Sequence, residues 1–209
     1  MSKITEVIPQ RKNPKRFNIF LDGEFAFGAD EDLVVSRRLV IGKVITPEDL
    51  ERILFEAEVG KLMERMYRWF GIRQHSEKEV RDYFRVRRKE EISQLTVDSL
   101  VEVLKKKGLV NDLEFAKAWV EARRRSKQKG IRVIKAELYQ KGIDKEIMEQ
   151  VISGQVTGDS EEELAKQALE KKLKYWKNLN SLELKKKSYE FLARRGFEYD
   201  VIEKIIKKE

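Results

Sequence analysis

Hydrophobic positions alternate with polar ones over the first ~30 residues and recur at three- and four-residue spacing after that. Lys15 to Leu21 and Glu24 to Phe27 flank Asp22-Gly23. Asp-Gly is the signal for a type I′ turn, whose twist suits a two-stranded hairpin. Phe17, Ile19 and Leu21 fall on one face of the first arm. A lone hairpin is marginal in water, so this one needs a packing partner, and Ile4 to Ile8 offers a third strand. Asp30-Glu31-Asp32 reads as the acidic start of a short helix.

The helical period begins at Thr46-Pro47-Glu48-Asp49, with Thr as N-cap and Pro at N1. Leu50, Ile53, Leu54, Ala57, Leu62, Met66 and Phe70 follow, up to Gly71. A second helix starts at Ser76, with Glu79 in capping-box position. A third carries Leu100, Val103 and Leu104 and stops at Gly108. The pattern then recurs. Phe115, Ala118, Trp119 and Ala122 stripe a helix that Gly130 ends. Ile134 and Leu138 stripe the next, which Gly142 ends, and Ile147, Met148, Val151 and Ile152 stripe a third. Another copy runs through Leu164, Ala168, Leu169, Leu173 and Trp176, then Leu184, Phe191 and Leu192, then Gly196 and Val201, Ile202 and Ile205. KGIDKEIMEQVI at 141–152 aligns with RGFEYDVIEKII at 195–206. Each glycine most simply supplies the left-handed C′ position that ends a helix.

The expected fold is therefore mainly all-α: three tandem three-helix repeats behind an N-terminal β-hairpin segment. The boundaries read as 1–45 for the hairpin and short helix, then 46–110, 111–157 and 158–209 for the repeats.

Composition narrows the partners. The absence of Cys excludes disulfides and thiolate metal sites. No apolar run approaches the ~20 residues of a membrane span, and no signal-peptide core opens the chain, so a cytoplasmic protein is expected. Net charge is +8 over 209 residues, unevenly spread. Residues 1–60 hold 9 Lys+Arg against 11 Asp+Glu, and residues 61–209 hold 36 against 26. The basic body suits an anionic partner, although i,i+4 pairs on solvated helix faces also use many charges.

The densest basic cluster lies at 121–135, where Arg123, Arg124, Arg125, Lys127, Lys129, Arg132 and Lys135 meet a single acid, Glu121. Cations at a helix C-terminus explain one or two of these. The remainder point to contact with nucleic acid or a nucleoprotein filament. Arg194 and Arg195, before Gly196, read either as a cap or as part of that contact. Arg85-Arg87-Arg88-Lys89 and the lysines at 105–107 are lesser candidates. Trp69, Trp119 and Trp176 read as core packing or as stacking platforms for bases. His75 reads as a surface turn residue. Nucleotide-binding loops and metal-ligand spacings are absent from the sequence, so neither an enzyme nor a cofactor is expected.

Several motifs carry a family likeness. Phe70-Gly71-Ile72-Arg73 with Ser76, Glu79 and Val80 resembles the R-x-x-S-x-x-E-[LV] signature of RecX proteins. Lys107-Gly108-Leu109-Val110-Asn111-Asp112 with Phe115, Ala116 and Trp119 resembles the family's central block. Lys129-Gly130, Ile134, Glu137-Leu138 and Lys141-Gly142-Ile143 are similar to its K-G-x-x-x-I-x-x-E-L-x-x-K-G-I pattern, and Arg194-Arg195-Gly196-Phe197 to its R-R-G-F block. Glu198 departs from the small hydroxyl residue usual after that block, and Gln74-His75 from a Pro-bearing dipeptide. The likeness spans about residues 57–206; the first 45 match only in outline. The resemblance implies a monomeric regulator that lies in the groove of the RecA–DNA filament and binds single- and double-stranded DNA more weakly. It further implies suppression of strand exchange, ATP hydrolysis and coprotease activity.

Overall fold

The computed structural model describes residues 1–86, 92–155, 158–177 and 179–207, with the backbone alone at 155 and 158–160. Strands β1 (Ser2–Gln10), β2 (Asn13–Leu21) and β3 (Glu24–Asp30) pair antiparallel, and a two-residue β4 (Val44–Ile45) joins the β1 edge, in the order β3-β2-β1-β4. Asp22 and Gly23 take φ of 51° and 91°, the positive values a type I′ turn demands. The alternation of β2 places Ile19 and Leu21 on the buried face, where they join Ile4, Phe27 and Leu33. Helix α1 (Glu31–Ser36) carries Leu33, helix α2 (Pro47–Phe70) adds Ile53 and Ala57, and Leu39 and Ile45 between the helices complete that core. β4 was not anticipated, because two residues are too few to display a period.

The chain is mainly helical, with α3 (Glu77–Val86) and α4 (Gln94–Lys106) following α2. Helices α5 (Asp112–Lys127), α6 (Ile131–Gln140) and α7 (Lys145–Gln155) make the second trio. Helices α8 (Gly158–Leu173), α9 (Ser181–Arg195) and α10 (Tyr199–Lys207) make the third. The anticipated helical repeats behind an N-terminal sheet are thus present. The fold divides into two units, one of residues 1–74 and 81–110, the other of 75–80 and 111–209. In the second unit Ser76 Oγ donates to the Lys141 carbonyl at 2.7 Å, Lys78 Nζ to that of Gln140 at 2.7 Å, and Asp112 Oδ1 accepts from Glu77 N at 2.9 Å.

Three expectations need correction. Gly108, Gly142 and Gly196 are left-handed as expected, at φ 69°, 77° and 90°, but Gly71, at φ −62°, and Gly130 are not. The left-handed residue there is Gln128, at φ 46°, and Gly130 instead caps the start of α6. Gly130 is small for another reason: a Cβ on it would stand 2.4 Å from the Gly196 carbonyl oxygen. The second concerns the α5 stripe. Ala118 and Ala122 are exposed, whereas Ala116 and Val120 are buried with Phe115. Burying the small alanine methyl gains less than burying a larger apolar side chain, so alanine is tolerated on either face and reads a helix face poorly. Third, His75 is 3% exposed rather than on the surface; its Nδ1 lies 3.2 Å from Glu79 Oε2, and Glu79 also pairs with Lys141.

Candidate interface on the second and third repeats

The nine basic residues singled out in the sequence lie in one unit, and the fold sorts them into two kinds. Those at the end of α5 and the start of α6 meet the end of α9. Gly130 N donates to the Arg195 carbonyl at 2.9 Å, and Arg132 N to that of Gly196 at 3.0 Å. The Arg132 guanidinium donates to the Ala193 carbonyl at 2.9 Å, and that of Arg195 to the Lys127 carbonyl. Arg194–Arg195 and the cluster of the second repeat therefore share one edge.

Four of the nine are committed internally. Arg124 pairs with Glu161 of α8, a carboxylate side chain only 5% exposed. Arg123 and Lys129 both pair with Glu137, Arg123 at 2.7 Å. Arg123 also covers the Trp119 ring at 4.1 Å, and Trp119 Nε1 donates to Glu137 at 2.9 Å. Trp119 stacks on Phe115 with centroids 5.5 Å apart, so it is a packing residue rather than a platform for bases. Trp176 packs edge-on against Phe191 at 5.9 Å. Arg195 is half-buried above the Phe191 ring at 4.8 Å, and burial lowers its pKa from the ordinary value.

The other five, Arg125, Lys127, Arg132, Lys135 and Arg194, are exposed, Arg132 while still bonded to the Ala193 carbonyl. Arg125 has only a 4.0 Å contact with Glu121, itself exposed. Lys127, Lys135 and Arg194 form no ion pair among the described residues. Of the lesser candidates, Arg85 pairs with Asp82 at 2.9 Å, while Arg87, Arg88 and Lys89 lie outside the described residues. Asp30, part of the acidic run near the N-terminus, caps α1 by accepting from Leu33 N at 2.8 Å. Among the described residues no group of three or more His, Asp or Glu is placed to hold a metal ion, and no helix is long and apolar enough to cross a membrane.

Sequence reasoning missed the acids. Glu137 and Glu161 lie 14 and 37 residues from their cationic partners Arg123 and Arg124, beyond any local pairing rule. Burial alone would raise the Glu137 carboxyl, but hydrogen bonds from Lys129, Arg123 and Trp119 outweigh it and hold the pKa below the ordinary value. A carboxylate depressed in the folded state adds stability above its unfolded pKa and loses it as pH falls through the folded one. Denaturation midpoints should therefore fall more between pH 7 and about pH 3 in the natural protein than in Glu137→Gln. Equal losses would show that Glu137 does not hold the network together.

The comparisons place these features among known proteins. Three family models match: "Regulatory protein RecX N-terminal domain" over residues 2–46, "RecX, second three-helix domain" over 111–152 and "RecX, third three-helix domain" over 159–206. The first of these covers the segment whose motifs were legible only in outline. The chain is 35% identical over 208 residues to the Regulatory protein RecX of Bacillus pumilus, covering 100% of this chain and 78% of that one. It is 36% identical over 202 residues to the Regulatory protein RecX of Bacillus subtilis, covering 97% and 75%. The solved structure titled "Crystal structure of regulatory protein RecX" superposes with a TM-score of 0.80 at 25% identity over all of both chains. That of RecX from Lactobacillus salivarius does so with 0.63 at 25% identity, over 72% of this chain and 95% of that one.

Proposed function

The chain belongs to the RecX family of regulatory proteins, and from that membership we propose that it regulates a RecA-type recombinase by docking on the RecA–DNA filament. It lies in the filament groove as a monomer, acts in the cytoplasm, binds free single- and double-stranded DNA more weakly, and lowers strand exchange, ATP hydrolysis and coprotease activity. It does so by occupancy, without catalytic turnover or a cofactor.

The observation that carries this reading is the outward basic edge shared by the second and third repeats. Arg125, Lys127, Arg132, Lys135 and Arg194 come from three helices, α5, α6 and α9, tied by backbone hydrogen bonds between Gly130–Arg132 and Arg195–Gly196. Cations spaced by a fixed backbone suit a regular anionic lattice, because little backbone freedom remains to be lost on docking. Several individually weak contacts along a filament then add through effective concentration.

ATP hydrolysis by the cognate recombinase on single-stranded DNA, measured while this protein is titrated in, tests the proposal. The rate should fall at protein concentrations well below those of DNA sites. A rate that falls only once the free DNA is saturated would instead indicate simple competition for the strand, and an unchanged rate would sink the reading.

A further inference from the structure

Between the sheet and α2 the N-terminal unit holds a cavity of about 560 Å³, within the range of small-ligand sites. β2 contributes Arg16, β3 contributes Phe25, and α2 contributes Lys61, Arg65 and Arg68. Positions 61, 65 and 68 lie on one helix face. Two carboxylates also line the cavity, and both are engaged. Glu64 accepts from Asn13 at 3.0 Å, and Glu58 from Thr96 at 3.1 Å. Four cations against two acids leave the lining with a net charge of +2.

Arg16 forms part of the inner wall. Its side chain is 9% exposed, and its Nη2 donates to the Gly28 carbonyl at 3.2 Å. Its Nη1 is buried without a hydrogen bond, with Glu64 Oε1 3.5 Å away. Paired with Glu64 and bonded to Gly28, the guanidinium holds a fixed positive charge in the cavity wall. Gly28 preserves this arrangement: a Cβ there would stand 3.0 Å from Gln10 Nε2 and 3.5 Å from Arg16 Nη2. Phe25 is 60% exposed although it lines the cavity, and its ring is held edge-on by Phe20 at 5.9 Å.

We propose that this cavity binds a nucleotide phosphate, with the phosphate on Lys61 and Arg68 and the base against Phe25. Ammonium and guanidinium groups donate to phosphate oxygens, and an aromatic face accepts any base. Lys61 and Arg68 are exposed and form no ion pair among the described residues, so neither must give up a protein partner. The site shares no residue with the basic edge of the second and third repeats and does not rest on the filament reading. The phosphate can come from a free nucleotide or from the end of a strand.

Isothermal titration of the full chain with dAMP, inorganic phosphate, and a thymidine trinucleotide with and without a 5′-phosphate tests it. dAMP should bind saturably, and Lys61→Glu/Arg68→Glu should weaken it about tenfold or more. Phe25→Ala should weaken dAMP binding and leave inorganic phosphate unchanged. All three substituted positions are exposed, and circular dichroism checks that the fold persists. Tight binding of the trinucleotide only with its 5′-phosphate identifies a strand end, while dAMP binding alone identifies a free nucleotide. No saturation by about 10 mM dAMP, or binding that survives the double reversal, overturns the proposal. Equal loss of phosphate and dAMP binding in Phe25→Ala overturns the stacking role.

Discussion

Gly130→Ala is expected to lower the stability of the unit formed by the second and third repeats by about 3–5 kcal/mol. A Cβ at Gly130 would meet the backbone of Gly196 and Phe197 at 2.4–2.5 Å. Those atoms cannot turn aside as a flexible side chain would. Relief requires the α5–α6 turn and the end of α9 to separate, which stretches the bonds from Gly130 N to Arg195 and from Arg132 N to Gly196. Overpacking typically costs about 1–3 kcal/mol, and each lost backbone bond adds roughly 1. Gly108→Ala is the control. Gly108 is left-handed at φ 69° with nothing within 4 Å of a Cβ, so only the left-handed penalty of about 1–2 kcal/mol applies. Urea denaturation of both variants checks the ranking. Gly130 itself lies in extended backbone that alanine adopts freely, so losses no larger than that of Gly108→Ala would mean that the close approach to Gly196 is relieved at little cost.

That contrast shows which parts of the fold the sequence could reveal. Periodicity exposes elements whose signal is local, such as the Asp22-Gly23 turn, the Thr46-Pro47 start and the glycines at 108, 142 and 196. It cannot reveal why Gly130 is glycine, since the atoms it must avoid lie 66 residues away at Gly196. The same limit governs the basic cluster. Seven cations against one acid at 121–135 look like an unopposed patch. The fold brings Glu137 to Arg123 and Lys129, and Glu161 to Arg124, so much of that charge is spoken for. Residues at 129–142 that resemble a family signature accordingly include packing and pairing groups as well as exposed ones: Gly130, Ile134, Glu137 and Leu138 hold the repeat together.

The Arg124–Glu161 pair shows why the committed cations are poor probes of binding. Removing one partner of a buried pair leaves the other charge unpaired and costs about 3–5 kcal/mol. Arg124→Glu would place two carboxylates together at the junction of α5 and α8, and any loss of binding would then report unfolding. The test has to use residues whose side chains already face water.

Reversing Arg125, Lys127 and Lys135 to Glu should weaken binding to DNA or to the recombinase filament on the order of 100-fold near physiological salt, with the fold intact. These residues occupy the last turn of α5 and the middle of α6. At ~1.5 Å per helical residue they fall within a patch of roughly 20 Å, about two Debye lengths, so their fields partly add. Each cation that neutralises a phosphate releases counterions, so losing three should flatten the slope of log affinity against log salt by roughly 3. A structural effect would lower affinity without that change in slope. The matched control is Lys185, Lys186 and Lys187, all exposed on α9, whose reversal changes net charge equally. If position matters, the first triple variant loses binding and recombinase inhibition together while the second retains most of both. Equal losses would indicate attraction by net charge alone, and a larger loss in the lysine run would move the contact to the exposed face of α9.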